Sequence, residues 1–398
     1  MMTMEIDSTI DSTLFPYFQP IIGTASGAIE GYETLARQRD QKGQVISAGA
    51  LFSRLDLSAS HLIALDRSVR SQALKQFKLL STGYLTLNIS AAWIDDVVDF
   101  NSLATIEMLE RLGIDKSRIV IEITESQGNL EKLFKAVEIY RRHGLRIAID
   151  DFGAGFSQLE RVMAIQPDII KLDMQLFQNA ARGGVASDVV HLLSRLAKRS
   201  GCRIVCEGVE TNDDFLFGLS CGAQFMQGYL FSSAMATFQA PMTFYSQICQ
   251  LRNEFLERAL YKEKQKQVLE NKIRTLIFYL KSHVKTENFL IHQLALLPFK
   301  GSGVLHFYIC DNQGNQISPN YNVTEEGWAV DASKLDLNWA WRPHFYEALV
   351  RDLECNECCR IVISDRYRDF STGTLCQTFA LRLDENRVLL VDVIADWL

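Results

Sequence analysis

Between Phe15 and Phe231 short apolar runs alternate with stretches of helical period, and this alternation limits the chain to a small set of folds. The clearest runs are Tyr17–Ile22, Tyr84–Ser90, Arg118–Thr124, Arg146–Phe152, Ile169–Asp173, Arg203–Val209 and Phe225–Phe231, with Ala28–Leu35 as a further one. Asn129–Gly144 shows the intervening pattern. There Leu130, Leu133, Phe134, Val137 and Tyr140 recur at steps of three and four, and Gly144 follows as a stop. Strand, helix, strand repeated in this way predicts a parallel sheet. About eight strands in roughly 220 residues favour a closed TIM-like (β/α) barrel over an open doubly wound sheet. No glycine-rich GxGxxG turn follows the first strand, which argues against a dinucleotide-binding fold.

The chain has 398 residues, enough for two or three domains, and its character changes after Pro241. A long polar helix is expected over 241–286. It includes Tyr261–Arg274, which carries five Lys or Arg side chains and two glutamates without Pro or Gly, and it reads as a connecting or dimerising helix with a solvated basic face. Beyond it, Phe307–Cys310, Arg360–Ser364, Thr374–Leu381 and Val388–Val393 read as strands and Trp341–Arg351 as a helix. The expected organisation is a barrel over 1–240, the helix over 241–286 and a separate α+β module over 287–398.

Forty-one basic against 48 acidic side chains leave a net charge of −7. No global positive field is therefore available to hold duplex nucleic acid or an anionic membrane, and an anionic ligand must be captured locally. No apolar run is long enough to span a bilayer, and the nine cysteines form no secretory framework. These features predict a soluble protein of a reducing cytoplasm. Cys355-Asn356-Glu357-Cys358-Cys359, with Cys310 and Cys376, lacks a second CxxC pair and reads as reduced thiols before it reads as a zinc or redox site.

Nearly every apolar strand of the first region carries a polar residue that a barrel core does not tolerate without partners: Glu33, Asn88, Glu122, Asp150 with Asp151, Lys171, Glu207 and Gln227. In a (β/α) barrel such groups converge at the C-terminal mouth from different strands. Five carboxylates and two amides form an all-oxygen donor set that suits Mg²⁺ or Mn²⁺, and two ions bridged by an aspartate would relieve the repulsion. Two such ions serve in-line displacement at a phosphodiester. Arg37 offers a planar fork to a phosphate, and Lys171 a cation to the developing charge. A metal-dependent enolising enzyme or a Schiff-base lysine fits the bare pattern as well. Singly, an acidic strand residue is ordinarily a core carboxylate paired with a base, and Lys171 suits a structural ion pair with Asp173 or Asp150.

Glu33-Thr34-Leu35-Ala36-Arg37 resembles the EAL signature of bacterial cyclic-di-GMP phosphodiesterases. The further blocks agree in order: Tyr17-Phe18-Gln19-Pro20-Ile21, Leu87-Asn88-Ile89-Ser90, Glu122-Ile123-Thr124-Glu125-Ser126, Asp150-Asp151-Phe152-Gly153, Lys171-Leu172-Asp173, Glu207-Gly208-Val209-Glu210-Thr211 and Gln227-Gly228-Tyr229-Leu230-Phe231. The resemblance implies that Glu33, Asn88, Glu122 and Asp150 hold one metal, that Asp150 and Asp151 serve a second, and that Lys171 and Glu207 help activate water. It also implies that Gln19, Leu35, Arg37 and Gln227 contact the dinucleotide, that the product is linear pGpG, and that Glu125 braces the loop that couples dimerisation to metal binding; Glu210 suits bracing its loop and touching metal equally. A homodimer is expected.

Three departures bear on activity. Thr34 replaces the alanine of the signature, Ala154, Phe156 and Gln158 replace the family's threonine, tyrosine and serine, and Ser232-Ser233-Ala234 lacks the usual Lys-Pro. The altered 151–159 loop motivates a second reading, a cyclic-di-GMP receptor of low turnover. Residues 287–398 resemble the PAS-like or Cache-like module behind EAL barrels in YkuI-type proteins, through Asn338-Trp339-Ala340-Trp341-Arg342-Pro343-His344-Phe345 and Ser364-Asp365-Arg366-Tyr367-Arg368-Asp369. That resemblance implies a sensory module with a small ligand, for which Trp341, Arg342 and Tyr346 are the pocket candidates. A cluster of aromatic residues in so small a domain also serves simply as its core.

Overall fold

A computed structural model describes residues 14–395 apart from 53, 55, 90–93, 95–96, 98–99, 101–102, 124–128, 154–163, 285–298, 300, 352–360 and 371. The chain divides into two compact units, 1–256 and 257–398.

The first unit is an eight-stranded closed barrel with helices outside it. Its strands are β1 (Phe15–Gly23), β2 (Ile29–Arg39), β4 (Tyr84–Ile89), β5 (Ile119–Ile123), β6 (Arg146–Phe152), β7 (Ile169–Leu172), β8 (Arg203–Cys206) and β9 (Phe225–Met226). A short β3 (Val45–Ser47) pairs with the end of β2. Strands β2 and β4 to β9 run parallel, but β1 runs antiparallel to both β2 and β9 and so closes the ring. The all-parallel expectation is corrected here. Only Thr24–Ala28 separates β1 from β2, too short for a crossover helix, so the chain makes a hairpin with Gly27 in the left-handed region at φ 72°. The last run also contracts to two residues. A Cβ on Gly228 would lie 2.1 Å from the Val209 carbonyl oxygen, so there the chain leaves the sheet and packs against another backbone.

The order inside the barrel follows from the two-residue period of a strand. Ile21, Tyr84, Val120, Ala148, Ile169, Val205 and Phe225 form one buried apolar cluster, the floor. On the parallel strands the residue two positions further on is Thr86, Glu122, Asp150, Lys171, Glu207 or Gln227, and Asn88 follows two after Thr86. On antiparallel β1 the equivalent residue is two positions earlier, Gln19. Sequence thereby stacks a polar layer on an apolar one. Gly31 leaves room for the floor, because a Cβ there would meet the Tyr84 ring at 2.5 Å.

The second unit contains an antiparallel sheet in the order β12-β11-β10-β16-β15-β13, with β14 beside β15. These strands are β10 (Val304–Asp311), β11 (Asn320–Thr324), β12 (Gly327–Asp331), β13 (Ile361–Ile363), β14 (Tyr367–Arg368), β15 (Leu375–Arg382) and β16 (Arg387–Ile394). Alternate residues of its central strands enter two cores. Phe307, Phe379, Leu381 and Val391 pack with Ile273, Ile277 and Leu280, whereas Tyr308, Ala380 and Leu390 pack with Phe345 and Ala348 of helix Pro343–Val350. The β11–β12 hairpin has no counterpart among the predicted strands: each of its strands is five residues long, and only Tyr321, Val323 and Trp328 pack on the core.

The long helix spans Tyr245–Val284, and residues 256–265 along it are exposed. No helix among the described residues is long and apolar enough to cross a membrane. The six described cysteines are free; Cys355, Cys358 and Cys359 lie outside the described residues.

Candidate functional site

Lys171, on β7, is buried at the centre of the polar layer. Its Nζ lies 2.7 Å from Glu207 Oε1, 2.8 Å from Asp150 Oδ1, 3.2 Å from Glu33 Oε2 and 3.3 Å from Glu122 Oε1. An ammonium has three N–H groups and cannot donate to four carboxylates at once. Five strands thus contribute to one cluster. Asp173 takes no part in it: its carboxylate caps helix Met174–Ala181 by accepting from the Leu176 N–H at 3.0 Å.

The carboxylates are not equivalent. Burial works to raise the Glu33 pKa, but Lys171 together with donors from Gln227 Nε2 (2.6 Å) and Asn88 Nδ2 (3.2 Å) outweighs it and holds the group below its ordinary value. Glu122 has no such donors. Burial, reinforced by Glu33, Asp150 and Glu207, pushes it well above the carboxylate range despite Lys171. Neither of its buried oxygens has a hydrogen-bond partner among the described residues, and the Lys171 contact is an ion pair without hydrogen-bond geometry. Burial also lifts Glu207 to about 8 and Asp151 to about 6, with Asp150 adding to both. Lys171 moves up as well: burial opposes its charge, but the four carboxylates outweigh burial.

Asp150 and Asp151 are neighbours on β6, where a regular strand sends successive side chains to opposite faces. The pairing of β6 with β7 shifts register between Ile149 and Phe152, and Asp151 sits at φ 52°. The irregularity brings oxygens of Asp150, Asp151 and Glu207 within 4.8 Å of one another, and those of Glu33, Glu122 and Asp150 equally close.

This donor set fits divalent cations. Five carboxylates and one ammonium leave a formal charge of −5 + 1 = −4, which two divalent ions would neutralise. The Asn88 carbonyl oxygen is buried without a hydrogen-bond partner among the described residues, while its amide nitrogen is engaged on Glu33. It is a ready neutral ligand.

Two cavities open beside the cluster and share Leu35 as a wall. One, of about 540 Å³, includes Arg37, Asn88 and Asp151; the other, of about 200 Å³, includes Gln19, Glu33, Glu207, Glu210 and Gln227. Gln19 and Gln227 thus line the smaller cavity and Arg37 the larger, with Leu35 between them. Glu210 joins the wall of the smaller one, and its backbone N–H donates to Asp214 in the capping box that starts helix Asn212–Ser220. Glu125 lies outside the described residues. Three contributors were not predicted from the sequence. Tyr229, 71% exposed, lines the smaller cavity, and the buried pair Arg70 and Asp66 lines the larger. Tyr229 stood in a quoted block next to Gln227, whereas Arg70 and Asp66 lie on an ordinary amphipathic helix with nothing to mark them.

Comparison with known proteins bears on this geometry. The family model described as the EAL domain matches residues 5–234. The chain belongs to the EAL-domain family. A second model, the EAL-domain associated signalling protein domain, matches 246–398. This EAL-domain protein is 26% identical to the uncharacterized EAL-domain containing protein YkuI of Bacillus subtilis (strain 168), over 98% of this chain and 96% of that one. The crystal structure of B. subtilis YkuI in complex with substrate c-di-GMP and calcium matches with a TM-score of 0.86 at 25% identity, covering 99% of each chain. The cyclic di-GMP phosphodiesterase PdeL of Escherichia coli (strain K12) is 27% identical over 54% of this chain and 61% of its own.

Proposed function

We propose that this EAL-domain protein opens cyclic-di-GMP to linear pGpG at the barrel mouth with Mg²⁺ or Mn²⁺. The observation that carries the reading is the convergence of Glu33, Glu122, Asp150 and Glu207 on one buried ammonium, with Asp151 alongside. Relatives named as cyclic di-GMP phosphodiesterases and the YkuI complex with that nucleotide support it. Two divalent ions held by Glu33, Asn88, Glu122, Asp150 and Asp151 supply Lewis-acid activation of the phosphodiester and of the attacking water.

The chain's own residues do the rest. Lys171 is held protonated by its carboxylates and serves as a fixed positive charge, not as a base. Glu207, whose Oε1 lies 2.7 Å from Lys171 Nζ and close to Asp150 and Asp151, takes the proton released by the attacking water. Arg37 offers its fork to a phosphate, Gln19 and Gln227 fix polar edges of the ligand, and Leu35 separates its two halves. Tyr229 provides a face for a guanine. Catalysis belongs to the barrel over 1–240, and the module over 287–398 regulates it through the helix over 241–286. A homodimer completes the proposal: helix Val185–Ser200 exposes Val185, Val189, Leu192 and Leu196 at the four-three-four spacing of a helix seam. A monomeric solution mass would remove this last element.

Chromatography of cyclic-di-GMP incubated with the full-length protein, with Mg²⁺, with Mn²⁺ and with chelator, is the test. Metal-dependent pGpG is expected, and Glu33→Ala should lower turnover by about 100-fold or more while the protein still folds. A variant as fast as the parent sinks the assignment. Retained nucleotide binding without product would point to the receptor reading.

A further inference from the structure

The second unit has a cavity of about 610 Å³, within the usual range for a small-molecule site, and the reaction at the barrel mouth makes no use of it. Arg342 is one of its walls and is only 8% exposed. Its guanidinium lies over three rings, at 4.4 Å from the Trp339 centroid, 5.0 Å from Tyr367 and 5.4 Å from Trp341. Such stacking offsets part of the cost of burying a cation but leaves its N–H edge unspent.

The hydrogen bonds around Arg342 have a fixed direction. Ionised Asp392 only accepts, so Thr378 Oγ1 donates to Asp392 Oδ1 at 2.6 Å. The Tyr367 hydroxyl then donates to Thr378 at 2.7 Å, and Arg342 donates to Tyr367 at 3.3 Å. One long bond from a five-donor group is the only side-chain hydrogen bond Arg342 makes among the described residues, and it forms no ion pair among them. Beside it His344, 5% exposed, has a buried Nε2 without a hydrogen-bond partner among the described residues. His344 Nε2 is closed off, so the unspent capacity that the cavity offers is that of Arg342.

The remaining walls define what fits there. Arg342, Arg366 and Arg368 face Glu347 and Asp365, a formal balance of +1 that suits a monoanion. Trp341 and Phe370, 67% and 87% exposed, present aromatic faces to a flat apolar body. Tyr346, a pocket candidate from sequence, is not among these walls. Helix Pro343–Val350 turns Pro343, His344 and Glu347 toward the cavity, and Tyr346 lies about 100° away from Glu347 around it.

We infer that this cavity binds a small organic acid with a planar apolar body, its carboxylate held by the Arg342 fork and its body against Trp341 and Phe370. The probe is benzoate, titrated into the full-length protein and followed by tryptophan emission and calorimetry, with benzamide as the neutral counterpart. Saturable benzoate binding is expected, with benzamide weaker by about tenfold or more, the worth of a charge-assisted pair. Arg342→Gln should weaken benzoate by a similar factor. Trp341→Ala, at an exposed position, should weaken it by roughly fivefold through lost aromatic contact while melting as the parent does. No saturable response at concentrations on the order of 10 mM, equal binding of benzamide, or unchanged affinity in both variants overturns the inference. Should Arg342→Gln fail to fold, the benzamide comparison and Trp341→Ala decide it.

Discussion

Thr34 stands where the EAL signature has alanine, and its Oγ1 is buried without a hydrogen-bond partner among the described residues. An unsatisfied buried hydroxyl costs free energy, so Thr34→Ala should stabilise the protein by about 1 kcal/mol, read as a rise in the urea midpoint, with turnover within about twofold. At this scale the site was largely legible. Glu33, Asn88, Glu122, Asp150, Lys171, Glu207 and Gln227 break apolar strands, and a charge in such a place needs partners. Their partners were not legible. Nothing in the sequence distinguishes Glu122, which lacks hydrogen-bond donors, from Glu33, which has two. Nor does it show that Asp173 is spent on a helix cap while Asp150 meets Lys171.

Among the elements, the strands that cross the apolar floor are constrained by volume as well as by pattern. Gly31 has no room for a methyl group against Tyr84, so Gly31→Ala should destabilise the barrel by roughly 1–3 kcal/mol, measured by urea unfolding, without altering the polar layer above. The strand–helix alternation predicted the barrel because period and spacing are local properties. Three element-level features escaped it. The antiparallel sense of β1 depends on the length of one loop, the meeting of Asp150 and Asp151 on one side depends on a register shift, and the alternation of Tyr321 and Val323 on β11 runs for only five residues.

At the scale of the whole molecule, the second unit carries its own sensitivity to acid. There burial, with Arg342 beside it, depresses the His344 pKa to about 4, against about 6.5 in an unfolded chain. As pH falls the unfolded state takes up this proton first. The stability His344 contributes is therefore complete above about pH 6.5, declines between about 6.5 and 4, and is lost below. The amount is on the order of 3 kcal/mol over the whole window, about 2 of it above pH 5, and His344→Gln should flatten the corresponding slope in urea midpoints of the second unit between pH 7.5 and 5. An identical slope in the variant would assign that acid sensitivity elsewhere.

The hairpin that closes the barrel has a practical corollary. Because β1 opposes its neighbours, Phe15 pairs with Arg37, beyond Glu33 toward the mouth. The polypeptide thus enters the barrel at the rim where the nucleotide would enter, whereas an ordinary first strand would start at the far end. The start of β1 and the opening to the polar layer therefore share one rim, so a bulky group attached at Phe15 would stand beside the candidate site and not behind it.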